Sequence, residues 1–123
     1  MLPYILLIIA VLLTVTGELF LKHGMNQHGV LELAPETLVR SLFTVFTNPF
    51  VMVGFVFIFS ASVFWLSVIS RIHLSVAYPL LSTGYIIIVL ASALFFNEQL
   101  TWTRVAGVLV IMGGISLVYQ SAQ

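Results

Sequence analysis

Glu18 is an acid in the middle of a long apolar run, while the other acids, Glu32, Glu36 and Glu98, stand among polar or turn-forming residues. Placing a charged carboxylate at mid-bilayer costs roughly 2.5–3.5 kcal/mol on insertion scales, so an acid in such a run faces a polar cavity or a partner. The chemistry open to it there is cation recognition: holding a protonated amine, or exchanging a proton for a cationic substrate. Tyr4, Leu7, Val11, Thr14, Glu18 and Lys22 follow one another at intervals of three or four. On a helix they share one face, whose polar groups gather toward the C-terminal half. Lys22 lies one turn beyond Glu18, about 6 Å of rise, which gives a competing reading. In it the two side chains pair and snorkel at the interface with no part in binding.

Further groups that suit a cation or an amphipathic molecule are Tyr78, Ser82 and Tyr85, again at helical spacing, and Ser62 with Trp65. Aromatic faces attract cations, and hydroxyls fix orientation in an otherwise apolar pocket. Intramembrane aromatics also serve as packing or interface anchors. His23, His28 and His73 fall in predicted turns and read as solvated side chains. The sequence holds no hydrolase, kinase or zinc-protease motif, no cysteine and no metal-ligand or cofactor pattern, so it does not read as an enzyme.

The composition decides what must position these groups. Of 123 residues 61% are apolar and 7% charged, against roughly 45–50% and about 25% in soluble domains. So few charges cannot clothe a water-facing surface, and lipid is the implied solvent. A zero net charge without any basic cluster excludes a nucleic-acid partner. A bilayer core takes about 20 residues per spanning helix. The expected fold is therefore an all-α integral membrane protein, one membrane domain over residues 1–123, crossing four times.

Helix boundaries follow from the punctuation. The first span is expected at about 3–22, opening on Pro3, closing in a polar, Gly-rich loop, and retained rather than cleaved as a leader. A short interfacial helix is expected at 35–46, with Leu38, Leu42 and Val45 on one side and Glu36 one turn from Arg40. The second span is expected at 49–70 after Asn48, the third at 74–96, and the fourth at 101–119 with Thr101 as its cap. Pro79 predicts a kink between Tyr78 and Gly84, and broken helices often line cavities.

An even number of spans puts both termini on one side with Arg71, opposite Lys22, Arg40 and Arg104. The excess of basic residues favours termini outside the cytoplasm; a bias this small also fits a protein inserting in both orientations. Gly107 and Gly114 recur on one face of the fourth span and predict close approach, to another helix of the chain or to a second subunit. Four helices are few to enclose a polar path, which points to a dimer through that span.

These residues resemble the drug/metabolite transporter superfamily over most of the chain. Tyr4-Ile5, Lys22, Phe64-Trp65-Leu66, Ala77-Tyr78, Phe95-Phe96 before Glu98-Gln99-Leu100, and Gly107 with Gly114 are similar to the small multidrug resistance pattern. That resemblance implies a four-helix fold, commonly an antiparallel dimer, exchanging protons for hydrophobic cations around a glutamate of the first helix. Thr14 stands where that pattern has its glutamate, Leu81 stands where it has a tryptophan, and the first loop is longer. Gly17-Glu18-Leu19 with Lys22, and Tyr78-Pro79-Leu80-Leu81-Ser82, resemble EamA-like transporters and the small flippase subunits that move aminoarabinose on a polyprenyl phosphate. Those proteins usually carry Gln where Glu18 stands, and an acid there suits a positively charged amino group.

The expected function is translocation of a small cationic or amphipathic substrate, including a lipid-linked one, across the inner membrane by a homodimer or a heterodimer with a similar subunit. Glu18 would hold the positive group, with Thr14, Tyr4, Trp65, Tyr78, Ser82 and Tyr85 lining the path. The rival expectations are a proton-coupled exporter of hydrophobic cations and a non-transporting scaffold subunit.

Overall fold

Pro3 lies in the first helical turn, where its missing N–H would have had no intrahelical acceptor. In the computed structural model, which describes residues 1–122, α1 spans Leu2–His28, α2 Leu38–Phe46, α3 Pro49–Ile69, α4 Leu74–Leu81, α5 Gly84–Phe95 and α6 Trp102–Ser121. The spans long and apolar enough to cross a bilayer are α1, α3, the α4–α5 pair taken as one interrupted helix, and α6. Asn48 caps α3, its Oδ1 accepting from the Phe50 N–H at 2.9 Å. Thr101 caps α6 by accepting from the Arg104 N–H at 3.2 Å. Both caps satisfy backbone donors that the first helical turn leaves free.

α1 continues past the expected end at Lys22 to His28. At about 40 Å it outruns a bilayer core. The reason is tertiary, because its last turns rest on the start of α3. Gly24 lies so close to Val51 that an added Cβ would come within 2.6 Å of its side chain. The Asn48 amide donates to Gln27 Oε1 at 3.3 Å, and the His23 ring meets Phe50 edge-on at 4.4 Å between centroids. Gly24, Asn26 and Gln27 therefore remain helical despite their turn-like composition, and His23 and His28 are helical residues rather than turn residues.

The interfacial helix also starts later than expected. Pro35 to Thr37 form a turn closed by the Thr37 N–H on the Ala34 carbonyl at 3.1 Å, so Glu36 lies off the helix. Among the described residues no Glu36–Arg40 ion pair forms.

The tightest helix contact is between α1 and α3 at Gly17 and Gly54, both buried. A Cβ on either would stand 2.7 Å from the other's carbonyl oxygen. Beyond that crossing a small core gathers Leu7, Val11 and Val15 of α1, Val68 of α3, and Ala77 and Leu80 of α4. Many of the other large apolar side chains are exposed, Phe59, Leu94 and Val110 among them, as a lipid-facing surface requires.

Between α4 and α5 the chain tightens rather than unwinds. The N–H groups of Ser82, Thr83, Tyr85 and Ile86 each bond the carbonyl three residues back, at 2.9–3.2 Å. Pro79 lacks the donor that a continuous helix needs, and a tighter turn takes over just beyond it. This is the kink expected between Tyr78 and Gly84. α6 leans mainly on α4, with Tyr119 edge-on to Tyr4 at 5.5 Å, and none of its residues is buried.

Candidate functional site

The break between α4 and α5 faces the C-terminal half of α1, and between them lies a cavity of about 190 Å³. α1 contributes Thr14 and Glu18, spaced four apart on its inward stripe. From the broken helix come Tyr78, Ser82 and Tyr85. Val11, Val15, Leu81 and Ile88 supply apolar wall. The break places Tyr78 and Ser82 of one helical piece and Tyr85 of the next around a single space. Gly84, at the start of α5, is buried against Val11 and Val15 of α1, where a Cβ would make ordinary van der Waals contact at 3.4 Å. Thr83 turns its hydroxyl to the Leu80 carbonyl at 2.9 Å and so serves the turn, not the cavity.

Trp65 lies one layer behind. Its ring meets Tyr78 edge-on, 5.7 Å between centroids and 80° between planes. With Ser62 it lines a neighbouring cavity of about 150 Å³ that shares Thr14, Tyr78 and Leu81 with the first. Tyr4 lies apart, in an apolar cleft with Tyr119 that touches the Glu18 cavity only through Val11. Of the residues expected to line one path, Glu18, Thr14, Tyr78, Ser82 and Tyr85 come together, Trp65 adjoins them, and Tyr4 does not reach the cavity.

The expected alternative of a Glu18–Lys22 pair is not formed. Lys22 Nζ lies 3.7 Å from Glu98 Oε1, in the loop between α5 and α6, and among the described residues this is the only ion pair. Glu18 lines the cavity and is itself exposed in the single subunit. Tyr78 is 61% and Tyr85 55% exposed, so one side of the cavity stands open in the single subunit. Gly107 and Gly114 face open space too, with nothing in the subunit near a Cβ added to either. The expectation of close approach to another helix of the same chain therefore fails. The close glycine contact within the subunit belongs instead to Gly17 and Gly54, whose signal was a small residue in each of two apolar runs.

A carboxylate that shares a cavity with two phenols, a threonine and a serine, walled by aliphatic side chains, can hold an ammonium group while the rest of an amphipathic molecule lies against lipid-like surface. Four apolar spans, two of them lining this cavity, make the chain a multi-pass inner-membrane transport protein rather than an enzyme. The relatives agree. The chain is 34% identical to the probable 4-amino-4-deoxy-L-arabinose-phosphoundecaprenol flippase subunit ArnF of Serratia proteamaculans, over 93% of this chain and 89% of that protein. It is 31% identical to the corresponding subunit ArnE of Pseudomonas fluorescens, over 95% and 96%, and 32% identical to ArnF of Proteus mirabilis, over 98% and 93%. The chain belongs to this family of small flippase subunits. No protein-family model and no solved structure matches it.

Proposed function

We propose that the chain is one subunit of a flippase that carries an amino sugar linked to a polyprenyl phosphate across the inner membrane, and that Glu18 holds the sugar's protonated amine during passage. The observation that carries this reading is that Glu18 lines one cavity with Tyr78 and Tyr85 at the broken helix. The names of the relatives supply the substrate class, a 4-amino sugar on phosphoundecaprenol. The sugar headgroup occupies the cavity while the polyprenyl chain stays in the bilayer. Thr14 and Ser82 bond the sugar hydroxyls, and Tyr78, backed by Trp65, and Tyr85 flank the ammonium.

The open side of the cavity is covered by a second, similar subunit packed along the glycine face of α6. Relatives bearing two different subunit names support a heterodimer over a pair of identical chains. The termini lie outside the cytoplasm, following the basic residues of the opposite loops.

Proteoliposomes loaded on one leaflet with the lipid-linked amino sugar test the reading, with a membrane-impermeant amine reagent reporting arrival on the other. The expected result is reagent access only when the chain and its partner are both present. Proton-coupled uptake of hydrophobic cations with no movement of the lipid would overturn it in favour of an exporter.

A further inference from the structure

The cation that part of the sequence pairs with Glu18 stands elsewhere, and its actual surroundings suit an anion. Lys22 continues the Glu18 stripe one turn toward the membrane surface and reaches Glu98 at 3.7 Å. Glu98 lies in a small cavity of about 120 Å³ together with Arg104, whose guanidinium donates to the Gln99 carbonyl. Ile88 lines both this cavity and the one holding Glu18, so the two adjoin through a single side chain. Glu98 thus pairs with Lys22 and shares a cavity with Arg104, and that cavity adjoins the one lined by Glu18. The Lys22–Glu98 pair is half exposed on both sides, the kind of ion pair that solvent screens and that exchanges readily.

We propose that Lys22 recognises the phosphate of the lipid-linked substrate, with Arg104 of the cavity beside Glu98 as a second cation, and that Glu98 occupies Lys22 when no phosphate is bound. This rests on the flippase reading above and deepens it. The spacing fits the chemistry: one helical turn, about 6 Å, separates Glu18 from Lys22. A sugar ring with an amine at one end and a phosphate at the other spans a similar breadth. Glu18 then takes the amine and Lys22 the phosphate, so neighbouring positions on one face of α1 read both charges of one headgroup. Entry of the phosphate displaces the Glu98 carboxylate, and departure of the lipid restores the pair.

The test uses the full chain in its native assembly, in nanodiscs of zwitterionic lipid, with undecaprenyl phosphate as probe and the uncharged undecaprenol and inorganic phosphate as comparisons. Trp102, exposed at the start of α6 and two residues before Arg104, supplies the fluorescence readout. Lys22→Gln is expected to weaken undecaprenyl phosphate binding about ten-fold, as loss of a charge-assisted contact does. Lys22→Arg is expected to retain it, Glu98→Gln to strengthen it, and none of these to alter undecaprenol binding.

Unchanged phosphate binding in Lys22→Gln would overturn the proposal, as would equal losses for the phosphate and the alcohol. Inorganic phosphate competing as well as the lipid would reassign the site to a free anion and overturn it too. Because the probe has no amine, failure here leaves the role of Glu18 standing, and failure of that role leaves this binding intact.

Discussion

Glu18 is useful because its neighbour is engaged elsewhere. Had Lys22 turned back along α1, the carboxylate would be neutralised within its own helix; instead Lys22 leans to Glu98, and Glu18 lines a cavity with Tyr78 and Tyr85. The sequence shows Glu18 as the one acid within an apolar run, and helical spacing alone puts Thr14 beside it and sets Tyr78, Ser82 and Tyr85 on a shared face. The partner of Lys22 was not legible, since Glu98 is brought in from a distant turn by packing. Asn48 does two jobs that sequence shows only in part: the cap on Phe50 follows from Asn-Pro, whereas the amide contact to Gln27 depends on α1 running on to His28. Replacing Asn48 by Ala removes both, and thermal unfolding in detergent is expected to show a loss of about 1 kcal/mol, typical of a lost cap. A stability equal to the unaltered protein would contradict the assigned cap.

At the level of elements, the hinge of the architecture is the glycine crossing of α1 and α3. With a carbonyl 2.7 Å from where a Cβ would stand, Gly54→Ala forces the helices apart. In a close-packed interface such overpacking costs roughly 1–3 kcal/mol. The loss is expected in the melting of the purified chain and, through the shift of α1, in weaker substrate binding. An alanine accepted without either effect would show that the crossing is looser than described. The break at Pro79 was legible because proline removes a donor wherever it stands. The length of α1 was not, because Gly24, Asn26 and Gln27 favour a turn locally and only contact with Val51 and Asn48 holds them helical. Gly17 and Gly54 were legible only as small residues in apolar runs, and a lone glycine there does not reveal which helix it meets.

For the whole molecule, the proposed function joins the half-open cavity and the bare face of α6, both to be covered by a second subunit. A Cβ at Gly107 meets nothing in the subunit, so Gly107→Leu is expected to leave its melting unchanged while reducing co-purification with the partner. A fall in subunit stability without loss of association would assign α6 an internal role instead. The central claim is that the acid in the recess selects a charged amine on a lipid carrier. It is tested most directly by comparing translocation of the lipid-linked amino sugar with that of its N-acetylated, uncharged counterpart in proteoliposomes. The unaltered protein is expected to prefer the free amine by roughly ten-fold or more, the worth of a hydrogen bond to a charged group. Glu18→Gln is expected to move both at similar rates. Equal handling of the two lipids by the unaltered protein, or a preference that survives Glu18→Gln, would contradict the account.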